Sequence, residues 1–227
     1  MLRPLSDDLF VLDVPFRVGG FALGGRMTVI RLPEGGLWLH SPVKLEAAAR
    51  QAVDALGPVR FLVAPNVMHH LAMGDWAAAY PSAKVLAPPG LRKKRPDLRI
   101  DVELSDTLDV GQSPTVEQLL AHGIPKLEEF AFLHRPSRTL LLTDVAFNIH
   151  ETPSWLTRTY LKWCGAYGRL APTWMLKSWV KDKAALRAWR DRVLQWDFDR
   201  VVPCHGQVLE SGGREAMRDG FAWLQAS

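Results

Sequence analysis

The chain has 227 residues and a hydrophobic fraction of 48%, enough for a substantial core and inconsistent with a disordered polymer. Its 28 Lys and Arg against 24 Asp and Glu leave a formal charge of +4, too small to indicate a nucleic-acid partner. Two cysteines, Cys164 and Cys204, supply neither a disulfide framework nor a thiolate metal cluster, and they suit a reducing compartment. Basic residues gather at 92–95 and again between Lys177 and Arg192, but the first group has no aromatic neighbours. Both read as solvated faces. The start of the chain lacks the apolar core of a secretion signal, and no run approaches the length of a membrane span. The expectation is a cytoplasmic protein with no transmembrane segment.

The first third reads as strands. Residues 9–14 are short and apolar, and 27–32 alternate with β-branched residues. Pro33-Glu34-Gly35-Gly36 is a turn before 37–40, so these last two strands form an antiparallel hairpin. Leu45, Ala48, Ala49, Val53 and Leu56 then lie on one helical stripe, ended by Gly57. A strand at 60–64, a helix at about 70–80 and a strand at 84–87 give the alternation of a layered α/β structure. Residues 100–140 turn strand-rich, with a hairpin whose turn is Arg135-Pro136-Ser137-Arg138. The texture then changes, because Trp155, Trp163, Trp174, Trp179, Trp189 and Trp196 all precede the last strand at 200–203. Leu186, Trp189, Val193 and Trp196 recur at helical spacing, so 184–196 is an amphipathic helix, and another helix closes the chain at 214–224. No linker divides the sequence. One domain over 1–227, with a helical insertion at about 151–197, is the expected organisation.

Three strand ends carry residues able to hold a metal: Pro65-Asn66-Val67-Met68-His69-His70, Leu142-Thr143-Asp144 and Pro203-Cys204-His205-Gly206. Neutral imidazole is a good ligand for zinc and similar ions, and loops at strand ends are where such ligands are gathered. Asp144 lies between apolar neighbours, so burial would demand a cation or hydrogen-bond donors around it. Asn66 either donates to an oxyanion in a pocket or caps the next helix. Trp155, Trp163 and Trp174 belong to aromatic stripes broader than two short helices need. They either roof an apolar substrate pocket, rest on a membrane interface, or pack against a second copy of the chain.

With those residues in place, the chain resembles the metallo-β-lactamase-fold superfamily over residues 6–210, as a branch with a degenerate metal motif. Thr143-Asp144 before Val145-Ala146-Phe147 is similar to that family's strand ending in Gly-Asp, and Pro203-Cys204-His205-Gly206 to its late Pro-Gly-His-Gly. His40 stands where the family has an aspartate-bearing strand end. In the motif His-x-His-x-Asp-His, placing His70 on the last histidine puts His69 on the aspartate and Pro65 and Val67 on the two earlier histidines. The family's middle histidine, expected shortly before Phe130, has no counterpart, although His122 and the glutamates at 128 and 129 lie nearby.

The resemblance implies a four-layer αββα sandwich whose first ion has lost its ligands. His69, His70, Asp144 and His205 would hold one divalent ion, with zinc the first expectation and iron or manganese also compatible. It implies hydrolysis of an ester, lactone, amide or phosphoester in a small, apolar substrate, with His69, Asp144 and His40 as catalytic groups. Asn66, Trp155, Trp163 and Trp174 would line the substrate pocket. Two other readings compete: a non-catalytic binding protein on the same scaffold, and a peripheral lipid-binding protein that uses the tryptophan-rich helices.

Overall fold

A computed structural model describes residues 1–112 and 114–225. Its first sheet is built from β1 (Arg3–Ser6), β2 (Leu9–Val14), β5 (Gly25–Arg31), β6 (Leu37–His40), β7 (Val59–Val63), β8 (Lys84–Ala87) and β9 (Val102–Glu103), in that spatial order. A two-stranded hairpin, β3 (Arg17–Val18) and β4 (Phe21–Ala22), stands apart from it. The second sheet is β10 (Val116–Leu120), β11 (Phe130–His134), β12 (Thr139–Leu142) and β13 (Arg200–Pro203). Pairing is antiparallel where turns are tight, as between β5 and β6 or β11 and β12. It becomes parallel where helices intervene, as from β6 to β9 and between β12 and β13.

Period-two alternation explains the layers. Leu9, Val11, Ile30, Trp38, Phe61, Val63 and Leu86 of the first sheet meet Val116, Phe130, Phe132, Leu141 and Val202 of the second. The opposite phase of the first sheet, including Met27, Val29, Leu39, Leu62 and Val85, packs under α1 (Ala47–Asp54), α2 (Met73–Ala79) and α3 (Pro89–Lys94). That of the second sheet, including Ala131, Leu133, Leu140 and Val201, packs under α6 (Lys183–Val193) and α7 (Gly213–Gly220). The result is the expected αββα sandwich, with both faces of each sheet covered. Between β12 and α6 lie α4 (Trp155–Trp163) and α5 (Trp174–Trp179). Side chains of Ser154, Thr173 and Asp182 cap α4, α5 and α6 by accepting amide N–H bonds. No helix among the described residues is long and apolar enough to cross a membrane.

The expected helix at 70–80 begins at Met73, because the preceding residues are committed to a turn organised by Asn66.

Two imidazoles break the apolar inter-sheet layer. His40 shares the phase of Trp38 and stacks on it with ring centroids 5.8 Å apart, with Phe132 edge-on at 5.3 Å. Neither of its ring nitrogens has a partner. Burial, assisted by the charge of nearby His69, lowers its pKa to about 3. His134 meets Ser137 Oγ through Nδ1 at 2.6 Å and leaves Nε2 unpaired; burial lowers its pKa to about 4. Below pH ~6.5 the unfolded chain takes up protons that these folded sites refuse, so their contribution to stability is complete above that pH and declines as pH falls. Each imidazole costs roughly 1.4 kcal/mol per pH unit over this window, down to its folded pKa. His40→Phe, which keeps the ring and removes the titration, should therefore flatten the acid limb of stability between pH 6 and 4 (about one proton's slope), measured by urea unfolding across pH. An unchanged slope would show that His40 is not held neutral.

Candidate metal centre

The parallel strands β6, β7, β12 and β13 deliver their C-terminal ends to one rim of the sandwich. Ser41 follows β6, the loop 64–72 follows β7, Asp144 lies just beyond β12, and His205 follows β13. Here His69, Asp144 and His205 converge, with one ligand atom from each lying within 4.8 Å of the others. His69 Nε2 is 3.2 Å from Asp144 Oδ2, and His205 Nε2 is 3.4 Å from Asp144 Oδ1. Both separations are close to the edge, about 3.3 Å, of a tetrahedron with 2.0 Å bonds.

The far nitrogens of both rings are tied down. His205 Nδ1 lies 2.7 Å from the Gly24 carbonyl, which can only accept, so Nδ1 carries a proton and Nε2 points at Asp144. His69 Nδ1 meets Ser41 Oγ at 2.7 Å. Such outer contacts are what fix the orientation of metal-ligating imidazoles. Burial disfavours the charged ring of His69, but the Asp144 charge and hydrogen bond, with help from Cys204, outweigh it and raise its pKa well above the usual value. Asp144 shows the mirror image: burial opposes its charge, yet His69 and His205 hold its carboxyl well below the usual range. The centre is therefore built around a carboxylate that attracts positive charge.

Asp144 is held from below by a network that the sequence reading left out. Glu129, fully buried at the start of β11, accepts the Thr143 N–H on Oε1 at 2.8 Å. Its Oε2 accepts the N–H groups of Asp144 at 2.7 Å and Val145 at 3.0 Å. Burial and the neighbouring Asp144 charge raise its pKa, while these donors work the other way. Asn66 joins the network: its Nδ2 reaches Glu129 Oε2 at 2.9 Å, Thr143 Oγ1 at 3.0 Å and Asp144 Oδ2 at 2.9 Å. Its Oδ1 accepts the N–H groups of Met68 and His69, both at 2.8 Å. On the opposite side Arg26 donates to Asp13 Oδ1 and to the carbonyls of Pro203 and Gly206, fixing the loop that carries His205. Gly206 has φ +94, and a Cβ there would collide with the Asn148 carbonyl. Two signals for this support were visible in the sequence. Arg26 occupies the same inward phase as Thr28 and Ile30, and Glu129 directly abuts an apolar strand.

Some expected site residues lie elsewhere. His70 does not face the cluster; its Nδ1 is 3.0 Å from Arg95 Nη1, because the Asn66-capped turn aims His69 at Asp144 and His70 away from it, under Arg95. His40 is too deeply buried, and too firmly neutral, to serve as a base. Asn66, fully buried, spends both ends of its amide on the framework instead of on a pocket. His122 lies at the surface, 3.5 Å from Asp106. The pocket that opens onto His69 and His205, about 360 Å³, is walled by Val14, Phe16, Pro42, Val43, Leu71 and Ala72, with Lys44 and Asp75 also lining it. None of the expected tryptophans lines it. Trp155, Trp163 and Trp174 are 71%, 69% and 55% exposed, because α4 buries the face of Thr157 and Leu161 and α5 that of Leu176 instead.

A family model described as a domain of unknown function (DUF4336) matches residues 6–91. No curated protein matches the sequence. Among solved structures, a metallo-β-lactamase from Pontibacter korlensis superposes with a TM-score of 0.68 at 12% identity, covering 100% of this chain and 99% of that one. The mono-zinc form of the metallo-β-lactamase FIM-1 from Pseudomonas aeruginosa gives 0.68 at 10% identity, covering 100% and 96%. A metal-soaked Flv1 flavodiiron core from Synechocystis sp. PCC6803 gives 0.71 at 12% identity, covering 99% of this chain and 60% of that one. The chain has the metallo-β-lactamase fold. In place of the full ligand motif it carries a partial centre of three ligands.

The Glu129 network makes a specific prediction. In Glu129→Gln the carboxamide must turn its NH2 toward at least one of the N–H donors that the carboxylate now accepts. The expected loss is roughly 2–3 kcal/mol of stability, read by chemical denaturation at pH 7. A variant as stable as the parent would remove the network from the account of how Asp144 is held.

Proposed function

We propose that the chain is a hydrolase-like protein that uses one divalent ion, held by His69, Asp144 and His205, against a small apolar substrate. One observation carries this reading. With Nδ1 of His205 committed to a carbonyl, a neutral ring aims a lone pair at a carboxylate oxygen 3.4 Å away. Two acceptors facing each other at that range are favourable only with a cation between them. Among the described residues no Lys or Arg is ion-paired with Asp144, so the cation is either a proton or a metal ion. Two imidazoles and a carboxylate with oriented outer contacts suit zinc first, and iron or manganese next. FIM-1, of the same fold, exists in a mono-zinc form, so one ion is compatible with this scaffold.

An ion bound there supplies Lewis-acid polarisation of a carbonyl or phosphoryl oxygen and an activated water. The residues of the chain do the rest. His69 and His205 present their Nε2 atoms, Ser41 and the Gly24 carbonyl keep the rings from turning, and Glu129 with Asn66 holds Asp144 in place. The apolar walls of Val14, Phe16, Val43 and Leu71 suit the uncharged part of an ester, lactone or amide. A compact phosphoester fits these walls less well.

Protein purified without added metal should contain about one equivalent of zinc, iron or manganese by plasma mass spectrometry, as a single-ion site requires. His205→Ala and Asp144→Ala should each lose it, whereas His70→Ala should keep it. Hydrolysis of a chromogenic butyrate ester by the loaded protein should disappear with the ion. Equal metal in all four proteins would defeat the metal reading. Stoichiometric metal with no turnover of esters, lactones, amides or phosphodiesters would leave a metal-binding scaffold and defeat the hydrolase.

A further inference from the structure

Helices α4 and α5 form an outward face that neither the sandwich nor the metal centre uses. On α4, Trp155, Leu156 and Trp163 are exposed, and on α5, Trp174 and Met175. The rings of Trp163 and Trp174 lie 5.8 Å apart, so the two helices present one continuous apolar patch. Their indoles combine a broad apolar body with an N–H donor, the chemistry favoured where hydrocarbon meets water. The charges of this segment are one-sided, although Arg169 donates to the Asp219 carbonyl and Lys177 lies over the Trp223 ring. Between Glu151 and Asp182 every charged residue is basic: Arg158, Lys162, Arg169, Lys177 and Lys181. These five exceed the net +4 of the whole chain, which is otherwise nearly balanced. On α4 the basic Arg158 and Lys162 flank Trp155 and Trp163 on the exposed side, opposite buried Thr157 and Leu161.

We propose that this face docks on the surface of an anionic lipid bilayer, with the tryptophans at the headgroup level and the basic side chains among the lipid phosphates. The other occupants fit it less well. A symmetric pairing with a second copy would bring Arg158 and Lys162 of each chain together across a two-fold axis, a repulsive arrangement. A nucleic acid would meet the cations and stack on the rings, but it has no use for exposed Leu156 and Met175. A lipid surface accepts all three components. The docking element is also joined to the pocket. Thr157 Oγ1 accepts the Ala22 N–H at 2.8 Å, and Phe21 packs on Tyr160 at 4.9 Å. The hairpin so anchored continues directly from Phe16 of the pocket wall.

The test is flotation of the full chain with vesicles of phosphatidylcholine alone and of phosphatidylcholine with phosphatidylglycerol. The expected result is at least roughly tenfold stronger partition onto the anionic vesicles, weakened by salt. Both W155S/W163S/W174S and R158E/K162E should lose most of that partition while keeping the parent's circular dichroism and metal content. Equal binding to the two vesicle types, no binding to either, or unchanged binding by both variants would overturn the proposal. A dimer in light scattering that the tryptophan variant dissociates, with no vesicle binding, would give the face to a second copy. Binding of single-stranded DNA without vesicle binding, lost in the charge variant, would give it to nucleic acid. Because neither variant touches a metal ligand, failure here leaves the single-ion reading standing, and the reverse also holds.

Discussion

The buried carboxamide of Asn66 is the constraint on which the rest of the centre depends. Its oxygen shapes the turn that aims His69, and its nitrogen reaches Glu129 and Asp144 on the other sheet. One side chain thus couples a loop of the seven-stranded sheet to the start of β11 and the end of β12. A fully buried amide that makes all these bonds is costly to displace, because each broken bond strands a polar group with no water to replace it. The two sheets meet there through backbone as well. Phe130 donates its N–H to the Pro65 carbonyl at 2.9 Å, and Val67 donates to the Leu127 carbonyl at 3.1 Å. The residues of the candidate centre therefore sit on a rigid seam between layers.

This rigidity clarifies how charge is handled. A fully buried carboxylate and a half-buried one lie close together, and they have different partners. Glu129 receives only N–H donors, mostly from backbone, and stays out of contact with the pocket. Asp144 turns both oxygens toward imidazoles at the pocket floor. Glu129 anchors the very backbone that positions Asp144, so the structural carboxylate and the ligand carboxylate are consecutive links of one chain of hydrogen bonds. Separating the roles in this way leaves Asp144 partly exposed while its support remains dry.

Much of the architecture was legible in the sequence because the sandwich is written in period-two alternation. Residues 84–87 and 200–203 are strands as the pattern suggests, and the turns at 33–36 and 135–138 close antiparallel pairs. The convergence of positions 69, 144 and 205 followed from their place at strand ends. What could not be read was direction. Adjacent histidines at a strand-to-helix turn face opposite ways, and only the hydrogen bonds of Asn66 decide which of them turns inward. Tryptophan stripes looked like pocket lining because spacing alone does not say which face of a short helix is buried. Thr157, a polar residue, turned out to lie on the buried side, bonded to the hairpin. His40 was misleading for a related reason: an imidazole at a strand end resembles a base until its neighbours, Trp38 and Phe132, are known.

The same seam explains why the candidate centre gathers three residues and lacks the full ligand motif. By resemblance, Pro65 and Val67 occupy the positions of two histidines that would serve a second ion. Here the carbonyl of Pro65 and the amide of Val67 are the inter-sheet staples, and the Val67 side chain is buried in the outer apolar core beneath the helices. Restoring imidazoles at these positions would insert polar rings where the packing is apolar, with Glu129 already occupied by four donors nearby. Positions 65 and 67 instead carry the backbone contacts that hold the Asn66 turn, and through it His69 and Asp144, in the geometry of the three-residue candidate centre.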